Sequence, residues 1–212
     1  MSISRRFGSG VLAAAVALVV AGGLCGAAAA KEPSQRSDAG LLQMCTGKYA
    51  LCDAALCMPL AAQSGPPGSK SAKPTQALCA CVVEDGPNLG PGPCANRAPS
   101  GTDGEYIMST YSFALDKPYL ACPKGNNRTV CFGYPCIIDK DNGQLAHCTC
   151  PITYNSEAFM TQGGDCNVAS CSDGLWQGGT PGEYKIINEK FSKATGQAPP
   201  PDCAAIAKKP KR

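Results

Sequence analysis

The sequence predicts a small, disulfide-rich, mainly β (α+β) fold. It reads as two tandem homologous units, each a few short strands with a hairpin, plus a short helix in at least the second. Three observations predict this. A cysteine frame occurs twice, the cysteines remaining after a leader are even in number, and the composition suits a thin, loop-rich core.

The frame comes first. One copy holds Cys52, Cys57, Cys79-Ala80-Cys81, Cys94 and Cys122. The other holds Cys131, Cys136, Cys148-Thr149-Cys150, Cys166 and Cys203. Both begin C-x4-C, both then place a C-x-C, and both carry Gly-Glu-Tyr between their last two matched cysteines, at 104–106 and 182–184. The expected organisation is repeat 1 over 45–122 and repeat 2 over 123–204, with an N-terminal arm at 31–44 and a basic tail at 205–212.

Residues 1–30 read as a removable signal peptide. Arg5 and Arg6 supply the positive start, Val11 to Val20 is an unbroken apolar run, and Ala28-Ala29-Ala30 offers small residues for cleavage. That run is too short to span a bilayer, so no membrane span is expected after cleavage. Of the 15 cysteines, Cys25 leaves with the leader, and an even set remains. An even set behind a leader reads as a disulfide framework in an oxidising compartment, periplasmic or extracellular.

The composition agrees. Aromatics make up 6%, while there are 24 glycines and 18 prolines. Units of this size bury little on their own, so cross-links must supply part of the stability. Charge excludes one partner class. Without Arg5 and Arg6 the 19 basic residues fall to 17 against 16 acidic ones, and four of the 17 lie in the last five positions. No basic face for nucleic acid is left.

The elements follow in order. Gln63 to Pro74 (QSGPPGSKSAKP) is a surface loop by composition. Ala77 to Val83 reads as a strand, and Gly86 to Pro93 as a turn cluster. In the second unit, Arg128 to Phe132, Cys136 to Asp139 and Gln144 to Cys150 read as strands. Asn142-Gly143 is a type I′ hairpin signal. Cysteines at i and i+2 on a strand share a face, and a bond within C-x-C would be strained, so each should reach a different partner. Thr180-Pro181-Gly182-Glu183 is a capping box with proline in the first turn. Tyr184, Ile187 and Phe191 then share one helical face up to a stop at Gly196. Thr102-Asp103-Gly104-Glu105 repeats the box and suggests a first helix.

Six cysteines match between copies, which predicts three equivalent bridges in each. Cys45 and Cys171 are left over and are expected to join the copies. A local Cys166–Cys171 bond is the alternative.

Chemistry is sparse. His147 is the single histidine, which removes multi-histidine zinc and copper sites. No C-x2-C occurs, so the usual zinc, thioredoxin and haem spacings are absent. Asp139 opens no calcium loop, because Gln144 and Cys150 stand where Gly and Glu are needed. No catalytic set, cofactor or metal is expected. The reading is an exported cysteine-rich protein with a non-enzymatic structural, interaction or binding role, its partner another protein or a glycan. The alternatives are a stapled-loop inhibitor or effector, and a hydrolase using dispersed Asp and Glu. Candidate contact positions are Gln63, Lys70 and Lys73 in the first-unit loop, and Trp176 among glycines.

Overall fold

The chain alternates inward and outward side chains most clearly around its two C-x-C pairs, and the fold is built on those two strands. The computed structural model describes residues 41–61 and 73–207. Gln63 and Lys70, the expected leader and the last five residues lie outside that range. Among the described residues the strands are β1 (Leu42–Leu51), β2 (Leu56–Pro59), β3 (Gln76–Pro91), β4 (Tyr106–Thr110), β5 (Leu120–Cys122), β6 (Arg128–Thr129), β7 (Pro135–Ile138), β8 (Leu145–Thr153), β9 (Phe159–Thr161) and β10 (Leu175–Gln177). The helices are α1 (Ser170–Asp173), α2 (Pro181–Thr195) and α3 (Cys203–Ala207).

Eight strands close into a barrel in the order β1-β3-β2-β10-β6-β8-β7-β4, and β3 also pairs with β8. β5 and β9 form a separate ribbon. The parts of the barrel interleave: β4 lies between β1 and β7, and β10 between β2 and β6. Cys79 pairs with Cys148 across β3 and β8, and the registers on either side of that pair match. Cys57 faces Cys79 as Cys136 faces Cys148. Ala50 faces Val83 as Thr129 faces Ile152. Leu175 faces Cys57 as Ile107 faces Cys136.

The core is sulfur and alanine. Ala77, Cys79 and Cys81 of β3 point inward, as do Ala146, Cys148 and Cys150 of β8, and all are buried. The small alanines leave room for the Cys52–Cys81, Cys57–Cys79, Cys131–Cys150 and Cys136–Cys148 bridges. These bridges touch one another: Cys148 Sγ lies 3.4 Å from Cys81 Sγ and 3.5 Å from Cys52 Sγ. In both C-x-C pairs the two cysteines bond different partners, as an extended backbone requires.

The remaining bridges correct the expected pairing. Cys45 bonds Cys94, Cys122 bonds Cys171, and Cys166 bonds Cys203. Neither Cys45–Cys171 nor Cys166–Cys171 forms, and the third matched bridge has no counterpart in the first segment. The reason is a long ribbon. β1 pairs with β3 from Leu42–Pro91 to Leu51–Val82, whereas β6 has two residues. Cys45 lies in that ribbon, where the 3₁₀ turn Cys94–Asn96 folds back beside it.

The same ribbon absorbs Gly86–Pro91, expected as a turn. Gly47 and Gly86 face each other there with φ of 138° and 150°, a conformation that side chains strain. Leu42–Met44, placed in the arm by the sequence, open β1. Asn142 and Gly143 do turn the β7–β8 hairpin but not through type I′, since neither has positive φ. The Asp139 carboxylate instead accepts from the Asp141 and Asn142 amides at 2.8 and 3.0 Å. The first expected helix is strand β4. Its Tyr106-Ile107-Met108 run finds a partner in β7, and Tyr106 exchanges backbone hydrogen bonds with Ser100. The second helix forms with its full capping box, proline in the first turn and Gly196 at φ 74°.

Candidate functional site

β10 is three residues long, and this shortness opens the flank of the barrel. It pairs with β2 only at Leu175–Cys57 and Trp176–Leu56. Beyond Leu175 the chain turns into Gly174 and α1, so Met58 and Pro59 have no strand beside them there. A groove of about 500 Å³ occupies the gap. Leu56, Met58, Pro59 and Leu175 give it an apolar wall, Ile152 and Tyr154 contribute from β8 and the residue after it, and Asn126, Asn127, Ser172 and Asp173 form a polar rim. Leu56 is 52% and Met58 68% exposed, high for side chains of this kind in a strand. Asp173 is the one carboxylate among the lining residues.

Lys73 stands at this groove. Its Nζ lies 5.3 Å from the centre of the Tyr154 ring, within cation–π range. The Tyr154 hydroxyl donates to the Pro74 carbonyl at 2.7 Å.

Trp176 is next to the groove but turned away from it. Its indole N–H donates to the Ser170 carbonyl at 2.8 Å. Its ring fills the space that a side chain at Gly163 or Gly174 would need. His147 faces outward from β8, with Nε2 3.0 Å from Asp139 Oδ2. That contact, helped by the Asp141 and Asn142 amides, holds the Asp139 carboxyl below its usual range. The fourteen expected framework cysteines are all bridged. The close sulfur sets Cys52/Cys81/Cys148 and Cys57/Cys79/Cys131 are neighbouring bridges, which offer no thiolate for a metal.

A second constellation has no signature in the sequence. Asp53, in the turn after β1, is 4% exposed. Its carboxylate accepts from the Tyr184 hydroxyl of α2 at 2.8 Å. Its carbonyl accepts from the Gln162 amide at 2.8 Å and the Thr161 hydroxyl at 3.2 Å. Burial pushes the Asp53 pKa up to about 7, against the pull of Tyr184 in the other direction. Tyr111 and Tyr119 lie close by, joined hydroxyl to hydroxyl, and both hydroxyls contact Asn188 Oδ1. Nothing in Cys52-Asp53-Ala54 distinguishes this aspartate from a surface turn residue; only the packing of α2 encloses it.

Fold and groove together define a disulfide-stapled β-barrel with one open flank. Its seven bridges indicate an oxidising, exported setting. Among the described residues no helix is long and apolar enough to cross a membrane. No protein-family model, curated protein or solved structure matches the chain.

Proposed function

We propose that this chain is an exported binding protein without a catalytic role, which takes up part of another protein or a glycan in the groove beside β2. The observation that carries the reading is the composition of the groove. An apolar wall with exposed Leu56 and Met58 faces a rim of amides and hydroxyls, the usual make-up of a binding cleft. Hydrolysis by a carboxylate pair would need a second acid opposite Asp173, and the lining holds one. A second reading has its own support. Lys73, at the end of the loop expected at Gln63 to Pro74, packs against Tyr154 of the groove wall, which favours a stapled loop that engages a target protein.

Export rests on Arg5-Arg6, the Val11–Val20 run and Ala28-Ala29-Ala30, with residues 1–30 removed and the product periplasmic or extracellular. The matched registers about Cys79 and Cys148 support reading 45–122 and 123–204 as two copies of one unit whose strands have interleaved.

The test is to screen the oxidised protein against a displayed peptide library and a glycan array, then repeat with Met58→Glu and Ile137→Glu. Both residues are exposed on the barrel, but only Met58 lines the groove. Groove binding predicts hits that Met58→Glu abolishes and Ile137→Glu spares. Hits that survive Met58→Glu, or none in either screen, would sink the groove reading. Replacing 62–72 with a short Gly-Ser linker separates the second reading: loss of hits with the groove intact favours the loop.

A further inference from the structure

We propose that helix α2 is a proton-dependent flap, docked on the barrel while the Asp53 carboxyl is protonated and released when that carboxyl ionises. The helix meets the barrel through one face. Tyr184 and Phe191 are buried there, and Ile187 packs against the same cluster of Leu89, Tyr111 and Tyr119. Polar contacts also hold this face, among them Tyr184 to Asp53 and Asn188 to the joined Tyr111 and Tyr119 hydroxyls. The first presses a helix against an enclosed acid.

The groups around Asp53 explain why it is the one that switches. Tyr184 faces it from α2, Tyr49 from β1, Tyr111 from the end of β4 and Tyr119 from the start of β5, each feeling its charge. Burial raises all four phenols, Tyr49 to about 12 and the others further, so they stay neutral through the acid and neutral range. No cation contributes to the aspartate's surroundings among the described residues. Arg128, which reaches the first turn of α2, is engaged by the Gly178 carbonyl at 2.5 Å and by Glu183 at 3.8 Å. An ionised Asp53 would be a buried charge facing one phenol and its own backbone amide, with no countercharge, a costly state.

The sign follows from linkage. An Asp in the unfolded or undocked chain titrates near 3.9, and the docked one near 7. The raised value means that the docked state holds its proton more tightly. Its advantage is complete below about pH 4 and is lost as pH rises to about 7. Across those roughly three units the docking equilibrium weakens by up to about a thousand-fold. Release uncovers the Leu89, Tyr111 and Tyr119 face. The Cys166–Cys203 bridge beyond the helix keeps it tethered, so the change is reversible.

The experiment is hydrogen exchange by mass spectrometry on the full oxidised chain from pH 4.5 to 8, with rates corrected for intrinsic exchange. Protection across α2 should fall steeply with rising pH while β3 and β8 hold theirs. Asp53→Asn keeps an acceptor for Tyr184 but cannot ionise, so α2 should stay protected at pH 8. A flat wild-type profile, or the same fall in Asp53→Asn, overturns the proposal. Should Asp53→Asn fail to fold, Tyr184→Phe decides. Losing the donor that favours the ionised form should move the fall to higher pH, and an unmoved fall overturns the proposal.

Discussion

The Cys122–Cys171 bridge is the most informative one to remove. Of the seven bridges it alone joins residues 45–122 to residues 123–204. Its ends are 49 residues apart, but the path through Cys131–Cys150 shortens the closed loop to about thirty residues. Loop-closure entropy then assigns it about 3.5 kcal/mol. For a domain of this size that corresponds to a fall in Tm of about 7–14 °C. The double variant Cys122→Ala/Cys171→Ala is preferable to serine, because both positions are buried beside Leu120 and Phe159 and alanine adds no unpartnered hydroxyl.

Calorimetry without reductant measures the shift, and tryptic cleavage in the exposed turn at Lys124 gives an independent reading. Wild-type fragments should stay linked on a denaturing, non-reducing gel, and the variant's should separate. A Tm loss below about 3 °C would mean that the loop is already closed by other contacts, against the entropic account. Wild-type fragments that separate would mean that Cys171 bonds elsewhere.

Other expectations are narrower. Gly163→Ala places a carbon 2.1 Å from Trp176 Cε3; it should cost about 1–3 kcal/mol by overpacking and shift the fluorescence of the sole tryptophan. Thr180→Ala removes the hydroxyl that caps the Glu183 amide at 3.2 Å, at a cost of about 1 kcal/mol in chemical denaturation. Mild reductant on the native protein should open Cys166–Cys203 first, because Cys166 is exposed while the barrel cysteines are enclosed. Alkylation and mass spectrometry should find two labelled thiols before any other pair, and labelling at Cys79 or Cys148 in the first step would contradict the core.

The legible parts of this fold are those set by neighbours in sequence. The inward alternation of β3 and β8, the separate partners of each C-x-C and the cap of α2 all follow from residues a few positions apart. What escaped depends on distant partners. Gly86–Pro91 looks like a turn by composition, yet β1 supplies a continuous antiparallel edge that keeps it extended. Cys45 could not be paired from spacing, because its neighbourhood exists only once that ribbon forms. The groove is the consequence of a strand that stops, and Asp53 matters because a helix 131 residues later covers it.

The two Gly-Glu-Tyr segments show how the competition is decided. Thr102-Asp103-Gly104-Glu105 and Thr180-Pro181-Gly182-Glu183 offer the same cap, threonine followed three places later by glutamate. Only the second has proline to preset φ in the first turn, and it leads into lysines, asparagine and glutamate that suit a half-exposed helix. In the first, Gly104 adopts φ 67°, and the residues that follow alternate between exposed and enclosed positions in the Tyr106–Met108 run. Those residues also meet the open edges of β1 and β7. A cap stabilises by about 1 kcal/mol, less than a strand gains by filling a gap in a closed barrel, so equal local signals end as a helix in one place and a strand in the other. Where the strand won, β4 closes the barrel beside β7. Where the helix won, α2 comes to rest on Asp53, so two similar tetrapeptides end as a barrel strand in one place and as the helix that encloses an acid in the other.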